Sequence, residues 1–237
     1  MTAAPLDHLK QFGYALLHGV FGAAETCSLA SRLSAALQAS EPSVLRSRGQ
    51  TYGSRDLIRL FPDVCDIPRQ PILREFIAAD LGPDEGLVRA LYFDKPPDRA
   101  WSLPWHKDRT IAVKDKDLPT TIFKKPTSKA GIPRVEAPES LLTRMLTLRL
   151  HLDAMTAENG PLSLIPGSHV PEAEPIAPPV EIHADSGDVL AIRPLLSHSS
   201  SLPRAGTTMH RRIIHLELAP GGELPDGFQW HWFRCVA

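Results

Sequence analysis

Leu91-Tyr-Phe-Asp-Lys-Pro-Pro-Asp-Arg-Ala-Trp-Ser-Leu-Pro-Trp-His-Lys-Asp108 is answered far downstream by Leu195-Leu-Ser-His198. His106 and Asp108 stand two residues apart. On a β-strand residues i and i+2 share a face, so an imidazole and a carboxylate at this spacing can grip one ion. His198, on a distant strand, would complete a set of two histidines and one carboxylate. That donor set leaves coordination positions open, the arrangement associated with non-haem Fe(II) oxygenases.

The same spacing recurs at His151-Leu-Asp153, so spacing alone leaves two candidate pairs. Context favours the first. His106 follows Pro104-Trp105 and precedes a polar Lys-Asp-Arg-Thr, as a strand entering a pocket mouth does. His151 and Asp153 alternate with Leu148, Leu150 and Leu152 and run toward Asn159-Gly160, a hairpin turn signal, which suits a half-exposed hairpin strand. The distal ligand has rivals too, since His169, His183, His210 and His215 also lie downstream. His198 follows the apolar run Val189–Leu196 and reads as the end of a core strand; His169 closes the turn Pro166-Gly-Ser-His169. Arg211-Arg212 opens the run Ile213–Leu218. A guanidinium there can pair bidentately with a carboxylate, or the two arginines can solvate a sheet edge.

Around these segments, Gly13 to Phe21 reads as a strand after a short polar-apolar opening. Ala23 to Leu37 carries Cys27, Leu29, Leu33 and Leu37 at helical spacing, and residues 70–80 predict a second helix stopped by Gly82-Pro83. Asp56–Phe61 is a short apolar piece ended by Pro62. Strand-like runs follow at Leu87–Phe93, Trp105–Val113, Leu142–Leu152, Leu162–Ile165, Val189–Leu195 and Arg211–Leu218. Helices come early and strands late, which predicts an α+β, mainly β chain with an antiparallel sheet core. Residues 114–138 show little periodicity and read as a long loop. Its lysines (Lys114, Lys116, Lys124, Lys125, Lys129) form either a solvated charge run or a patch steering an anionic substrate. Pro171–Pro179 reads as an exposed loop.

The 237 residues suit one domain, 1–237, with a substantial core. Charged residues make up 22% and the formal net charge is −1, so there is no global pull toward nucleic acid or an anionic membrane. Three scattered cysteines, Cys27, Cys65 and Cys235, lack metal-ligand spacing and read as reduced thiols. With no apolar signal core and no long apolar run, a cytoplasmic protein is the expectation. Oligomeric state is not legible.

Taken together, the segments resemble the phytanoyl-CoA dioxygenase family of Fe(II)/2-oxoglutarate oxygenases. The matching pieces are Phe93–Pro97 with Trp101–Val113; Met145–Asp153; Glu158-Asn-Gly-Pro-Leu-Ser-Leu-Ile-Pro-Gly-Ser-His169; Gly187–His198; and His210–Glu217. They follow the family's order over most of residues 87–218, the expected metal-binding core, and Phe12–Leu17 resembles the family's opening strand. The resemblance implies a double-stranded β-helix, a jelly roll of two antiparallel sheets flanked by N-terminal helices.

It also implies a ligand set of His106, Asp108 and His198 for Fe(II), with His151 and Asp153 set aside. The 2-oxoglutarate anchor falls on Arg211 or Arg212; strand alternation lets only one face inward, and Arg211 is slightly favoured. The implied reaction consumes O2 and 2-oxoglutarate, releases succinate and CO2, and hydroxylates a small-molecule substrate; retention of Asp108 favours hydroxylation over halogenation. By position, Thr147 or Arg149 would contact the co-substrate, and Trp101 and Trp105 either wall the pocket or belong to the core. Position 107 departs from the family in carrying Lys. The alternatives are a cupin-like metalloprotein that does not use 2-oxoglutarate and a non-catalytic jelly-roll binding protein.

Overall fold

The computed structural model describes residues 3–38, 41–97, 101–172 and 174–236. Asp98, Arg99 and Ala100 of the ligand stretch, and Ala173 of the acidic loop, lie outside them. Two antiparallel sheets face each other. The larger is built from β1 (Tyr14–Leu17), β2 (Val44–Ser47), β3 (Gln50–Ser54), β4 (Gly86–Lys95), β9 (Leu146–His151), β12 (Val189–Ile192) and β14 (Arg211–Ala219), in the order β1-β12-β9-β14-β4-β3-β2. A two-residue strand, Arg234–Cys235, adds to β4. The smaller runs β11-β10-β13-β5, from β5 (Leu103–His106), β10 (Leu162–Leu164), β11 (Val180–Ile182) and β13 (His198–Ser200). A third sheet, β6-β8-β7, joins β6 (Thr110–Ala112), β7 (Lys124–Lys129) and β8 (Ile132–Glu136).

Alternation along the central strands assigns the two faces of the large sheet. Leu146, Leu148 and Leu150 of β9 and Ile214, Leu216 and Leu218 of β14 enter the core shared with the helices α1 (Ala3–Phe12), α2 (Ala23–Ala36) and α4 (Pro71–Leu81). α4 buries Leu73, Phe76 and Ile77, one helical stripe, and stops where Gly82 takes φ 90°. The opposite face, toward the small sheet, carries Arg149 of β9 and Arg211, Ile213, His215 and Glu217 of β14, all lining one cavity. A second core of Met155, Leu162, Leu164, Leu190, Ile192 and Leu196 packs between the sheets.

Several expectations need correction. The opening segment is α1, whose single fully buried residue, Leu9, gives little periodic signal. Two strands, β2 and β3, lie in a stretch not expected to hold any. Asp56–Phe61 contains a helical turn, α3 (Leu57–Leu60), followed by a 3-10 helix at Pro62–Arg69. Leu142–Leu152 divides into the turn α5 (Glu139–Leu142) and β9. Asn159-Gly160 does not close a hairpin: β9 pairs with β12 and β14, whereas β10 pairs with β11 and β13. The turn carries the chain from one sheet to the other. The 114–138 segment is not a bare loop, for β7 and β8 form a hairpin docked on β6. Among the described residues no helix is long and apolar enough to cross a membrane.

Candidate active site

The run Trp105–Val113 is not one strand. β5 ends at His106, β6 begins at Thr110, and the two belong to different sheets. Asp108 sits in the break, its N–H donating to Pro194 O at 2.8 Å. Pro194 is four residues before His198, so the same turn fixes both the carboxylate and the approach to the distal histidine. His198 is likewise not the end of Val189–Leu195; it opens β13 after the chain has changed sheets, and it stands directly across from His106 in the β13/β5 register. Cross-strand neighbours bring side chains together, and the two rings lie 4.2 Å apart between centroids. Candidate ligand atoms of His106, Asp108 and His198 all fall within 4.8 Å of one another.

Both rings are oriented by backbone carbonyls. His106 Nδ1 donates to Pro104 O at 2.7 Å and His198 Nδ1 donates to Leu196 O at 2.9 Å. A carbonyl only accepts, so each proton is on Nδ1 and each Nε2 presents its lone pair. Burial first, and then Arg149, lower the His198 pKa to about 4, which keeps the ring neutral near pH 7. Burial alone would raise the Asp108 pKa, but His198, His215, Arg149 and Arg89 outweigh it and hold the carboxyl well below the usual range. A neutral His198 and an ionised Asp108 are in the protonation states a divalent metal needs.

Arg149, from β9, donates Nη2 to His198 Nε2 at 3.1 Å and lies 3.7 Å from Asp108 Oδ2. Further along the same inward face of the sheet, Glu217 is held by His215 Nε2 at 3.1 Å and by Arg89. These side chains share a cavity of about 580 Å³, within the size range of small-molecule sites.

Arg211 and Arg212 part company as alternation requires. Arg211 lines the cavity and donates to Gly160 O at 2.6 Å. Arg212 is held instead by both carboxylate oxygens of Asp153, at 2.8 and 2.6 Å, and its N–H donates to Asp153 at 2.9 Å. Asp153 is therefore occupied. His151 is buried rather than half-exposed, and neither ring nitrogen has a hydrogen-bond partner. Thr147 is buried and does not line the cavity. Trp101 lines it, edge-on to Tyr52 at 6.2 Å, whereas Trp105 is exposed outside it. Lys107 donates to Ser168 O at 2.7 Å.

The polar turn motifs brace these side chains. Asn159 accepts from Thr156 N and donates to Ala154 O and His210 O, fixing the turn against the start of β14. Gly160 has φ 72°, and a Cβ there would meet Ser201 O at 2.5 Å; its carbonyl holds Arg211. Ser168 of Pro166-Gly-Ser-His169 accepts from Ser197 N at 2.9 Å, one residue before His198.

A family model described as phytanoyl-CoA dioxygenase (PhyH) matches residues 9–221. The chain belongs to the phytanoyl-CoA dioxygenase family. The match runs from α1 past the end of β14, so it contains all three candidate ligands and Arg211. Solved structures share the family's fold at low identity. The structure titled EctD from S. alaskensis with bound Fe superposes with TM-score 0.68 at 18% identity, covering 95% of this chain and 82% of that one. SnoN, a non-haem α-ketoglutarate-dependent epimerase from nogalamycin biosynthesis, gives 0.67 at 18%, covering 94% and 85%. HygX from Streptomyces hygroscopicus, solved with nickel and 2-oxoglutarate, gives 0.63 at 17%, covering 93% and 87%. A comparison with curated protein sequences finds no match.

Arg55, Arg89, Arg134 and Glu217 also line the cavity and were not expected there from sequence, and His215, a rival for the distal ligand, lines it as the partner of Glu217. For Arg89 on β4 and for His215 and Glu217 on β14 a signal existed: each is a titratable residue at an inward position within the apolar middle of its strand.

Proposed function

We propose that this chain is an Fe(II)- and 2-oxoglutarate-dependent dioxygenase that hydroxylates a small-molecule substrate and releases succinate and CO2. The observation that carries the reading is the convergence of two Nε2 lone pairs and the Asp108 carboxylate in the cavity that Arg211 also lines. His106, Asp108 and His198 would hold the metal, whose bound form supplies the O2 activation that no amino-acid side chain provides. Nε2 of His198 has one lone pair, so His198 would give up its Arg149 hydrogen bond on holding a metal. The released guanidinium, beside Asp108, is then available to a carboxylate at the metal end.

Arg211 would bind the distal carboxylate of 2-oxoglutarate. Its guanidinium is partly buried, and burial lowers its pKa to about 10, so it remains a cation at neutral pH. A partly buried cation whose side-chain partners among the described residues are Gly160 O and, at 3.7 Å, Met155 Sδ is a strong receptor for an anion. The larger-sheet core behind β9 and β14 keeps water from that side.

The test is product formation. Iron-loaded protein incubated with 2-oxoglutarate, ascorbate and O2 is expected to form succinate, and His106→Ala is expected to abolish it. Wild-type protein that holds iron yet forms no succinate, alone or with a broad panel of small molecules, would overturn the assignment.

A further inference from the structure

The cavity is cationic well beyond what one co-substrate requires. Away from Arg211 it is lined by Arg55, Arg89, Lys129 and Arg134. With Asp108 facing the metal position, Glu217 is the carboxylate left among the described residues that line it. Glu217 is spoken for, by Arg89 and by His215.

Among the described residues, these guanidiniums are short of partners. Arg134 is 6% exposed, and its Nε and Nη2 are buried without a hydrogen bond. Arg89 is 7% exposed; its Nη2 serves Glu217 and Thr110 O, but Nε and Nη1 have no partner. Arg55 stacks over the Phe93 ring at 5.0 Å, and its Nε is buried and unpaired. Leaving charged donors buried and unpaired is costly, and packing like charges together adds repulsion. The cations depress one another accordingly. Burial and then Arg89 lower Arg55; Arg55 and then burial lower Lys129. Burial followed by Arg89 and Arg55 takes Arg134 to about 9, still a cation near neutrality. The other cationic side chains around the mouth are already engaged: Arg109 with Glu139 at 3.0 Å, Lys107 with Ser168 O.

This cluster is separate from Arg211. Arg89 stands opposite Glu217 in the β4/β14 register, while Arg211 stands opposite Lys95, six residues along β14. At strand rise that is roughly 20 Å, and Arg149 with the three candidate ligands lies between. Lys129 and Arg134 come from the β7/β8 hairpin, which brings them over the cavity from the third sheet.

We propose that the Arg55, Arg89, Lys129 and Arg134 end of the cavity is the substrate's anion site, receiving a carboxylate or phosphate group that the substrate carries. The claim rests on the proposed function only for what occupies the other end. Paired arginine donors match either oxyanion geometry, and the neighbouring Tyr52, Leu91 and Phe93 offer apolar wall for the rest of the molecule. The substrate class is thus an organic acid or phosphate ester positioned with a carbon near His106, Asp108 and His198.

The test is calorimetric titration with phenyl phosphate and, separately, benzoate, into protein loaded with Ni(II), with and without saturating 2-oxoglutarate. At least one probe is expected to bind in both conditions, and the stronger of the two tells phosphate from carboxylate. Arg134→Gln and Arg55→Gln should each weaken it by roughly tenfold or more while 2-oxoglutarate binding persists, which also shows that the variants are folded. Arg211→Gln should leave probe binding intact. Absence of probe binding, competition between probe and 2-oxoglutarate, or indifference to both arginine variants would each overturn the proposal. Loss of 2-oxoglutarate binding in Arg134→Gln but not in Arg211→Gln would also overturn it, by making the cluster the co-substrate anchor. Wild-type protein that binds a probe but never 2-oxoglutarate would sink the oxygenase reading and leave the anion site standing.

Discussion

His151 has both ring nitrogens buried without a partner, and burial followed by the charges of Arg211 and Arg149 takes its pKa down to about 3, from an ordinary 6.5. Between those values the unfolded chain binds a proton that the folded chain refuses. His151 therefore contributes stability that is fully present above about pH 6.5 and is lost as pH falls toward 3. In His151→Leu the fall in melting temperature between pH 6.5 and 4 should be shallower than in wild type, by the equivalent of a few kcal/mol. Parallel melting curves across that range would contradict the assignment. His106 has the same sequence spacing to an aspartate, yet its Nδ1 is anchored to Pro104 O and its ring faces His198. The candidate ligands were legible because resemblance supplied the order of motifs. Spacing alone could not distinguish His106 from His151, since what divides them is a break in the strand at Lys107–Arg109, not periodicity. Arg55 and Arg134 were illegible for a related reason: each is brought to the cavity by a separate segment, and neither carries a motif.

β14 sorts its residues by alternation, and the sort can be measured. Arg211, Ile213, His215 and Glu217 face the cavity; Ile214, Leu216 and Leu218 face the helices. Arg212 lies off the cavity and is locked to Asp153, a partly exposed pair. Arg212→Gln should therefore lower stability, by about 1 kcal/mol, and leave 2-oxoglutarate affinity within about twofold of wild type. Arg211→Gln should do the reverse, weakening 2-oxoglutarate by roughly tenfold or more with little change in melting temperature. Chemical denaturation and calorimetry on the two variants decide it, and a co-substrate defect in Arg212→Gln alone would reverse the assignment. Alternation made β4, β9 and β14 readable from sequence because each has one largely apolar face, broken only near a strand end by Asp94 on β4 and Arg212 on β14. β7, Lys-Lys-Pro-Thr-Ser-Lys, is exposed along its whole length, so no buried face writes a pattern into it. The hairpin is marked by conformation instead, with Ala130 and Gly131 at φ 53° and 81°.

At the scale of the molecule, the helices cover one face of the large sheet and the small sheet covers the other, so the chain's polar chemistry is confined to the gap between sheets. One end of that gap is filled by the core of Leu162, Leu164, Leu190 and Ile192. The rest is the cavity, with Arg211 toward one end, the three candidate ligands in the middle and the arginine cluster beyond. The mainly β architecture was legible as a class. The exchange of strands between sheets was not, because Asn159-Gly160 and Pro194 signal a turn without saying which sheet receives the chain.

The central claim is that His106, Asp108 and His198 hold iron in a form that 2-oxoglutarate chelates. Its most direct test is an anaerobic titration of Fe(II)-loaded protein with 2-oxoglutarate, following the weak visible charge-transfer band of the chelate, on wild type, His106→Ala and His151→Ala. A saturable band is expected in wild type, retained in His151→Ala and absent in His106→Ala. A band that survives His106→Ala, or no band in wild-type protein shown to contain iron, would contradict it.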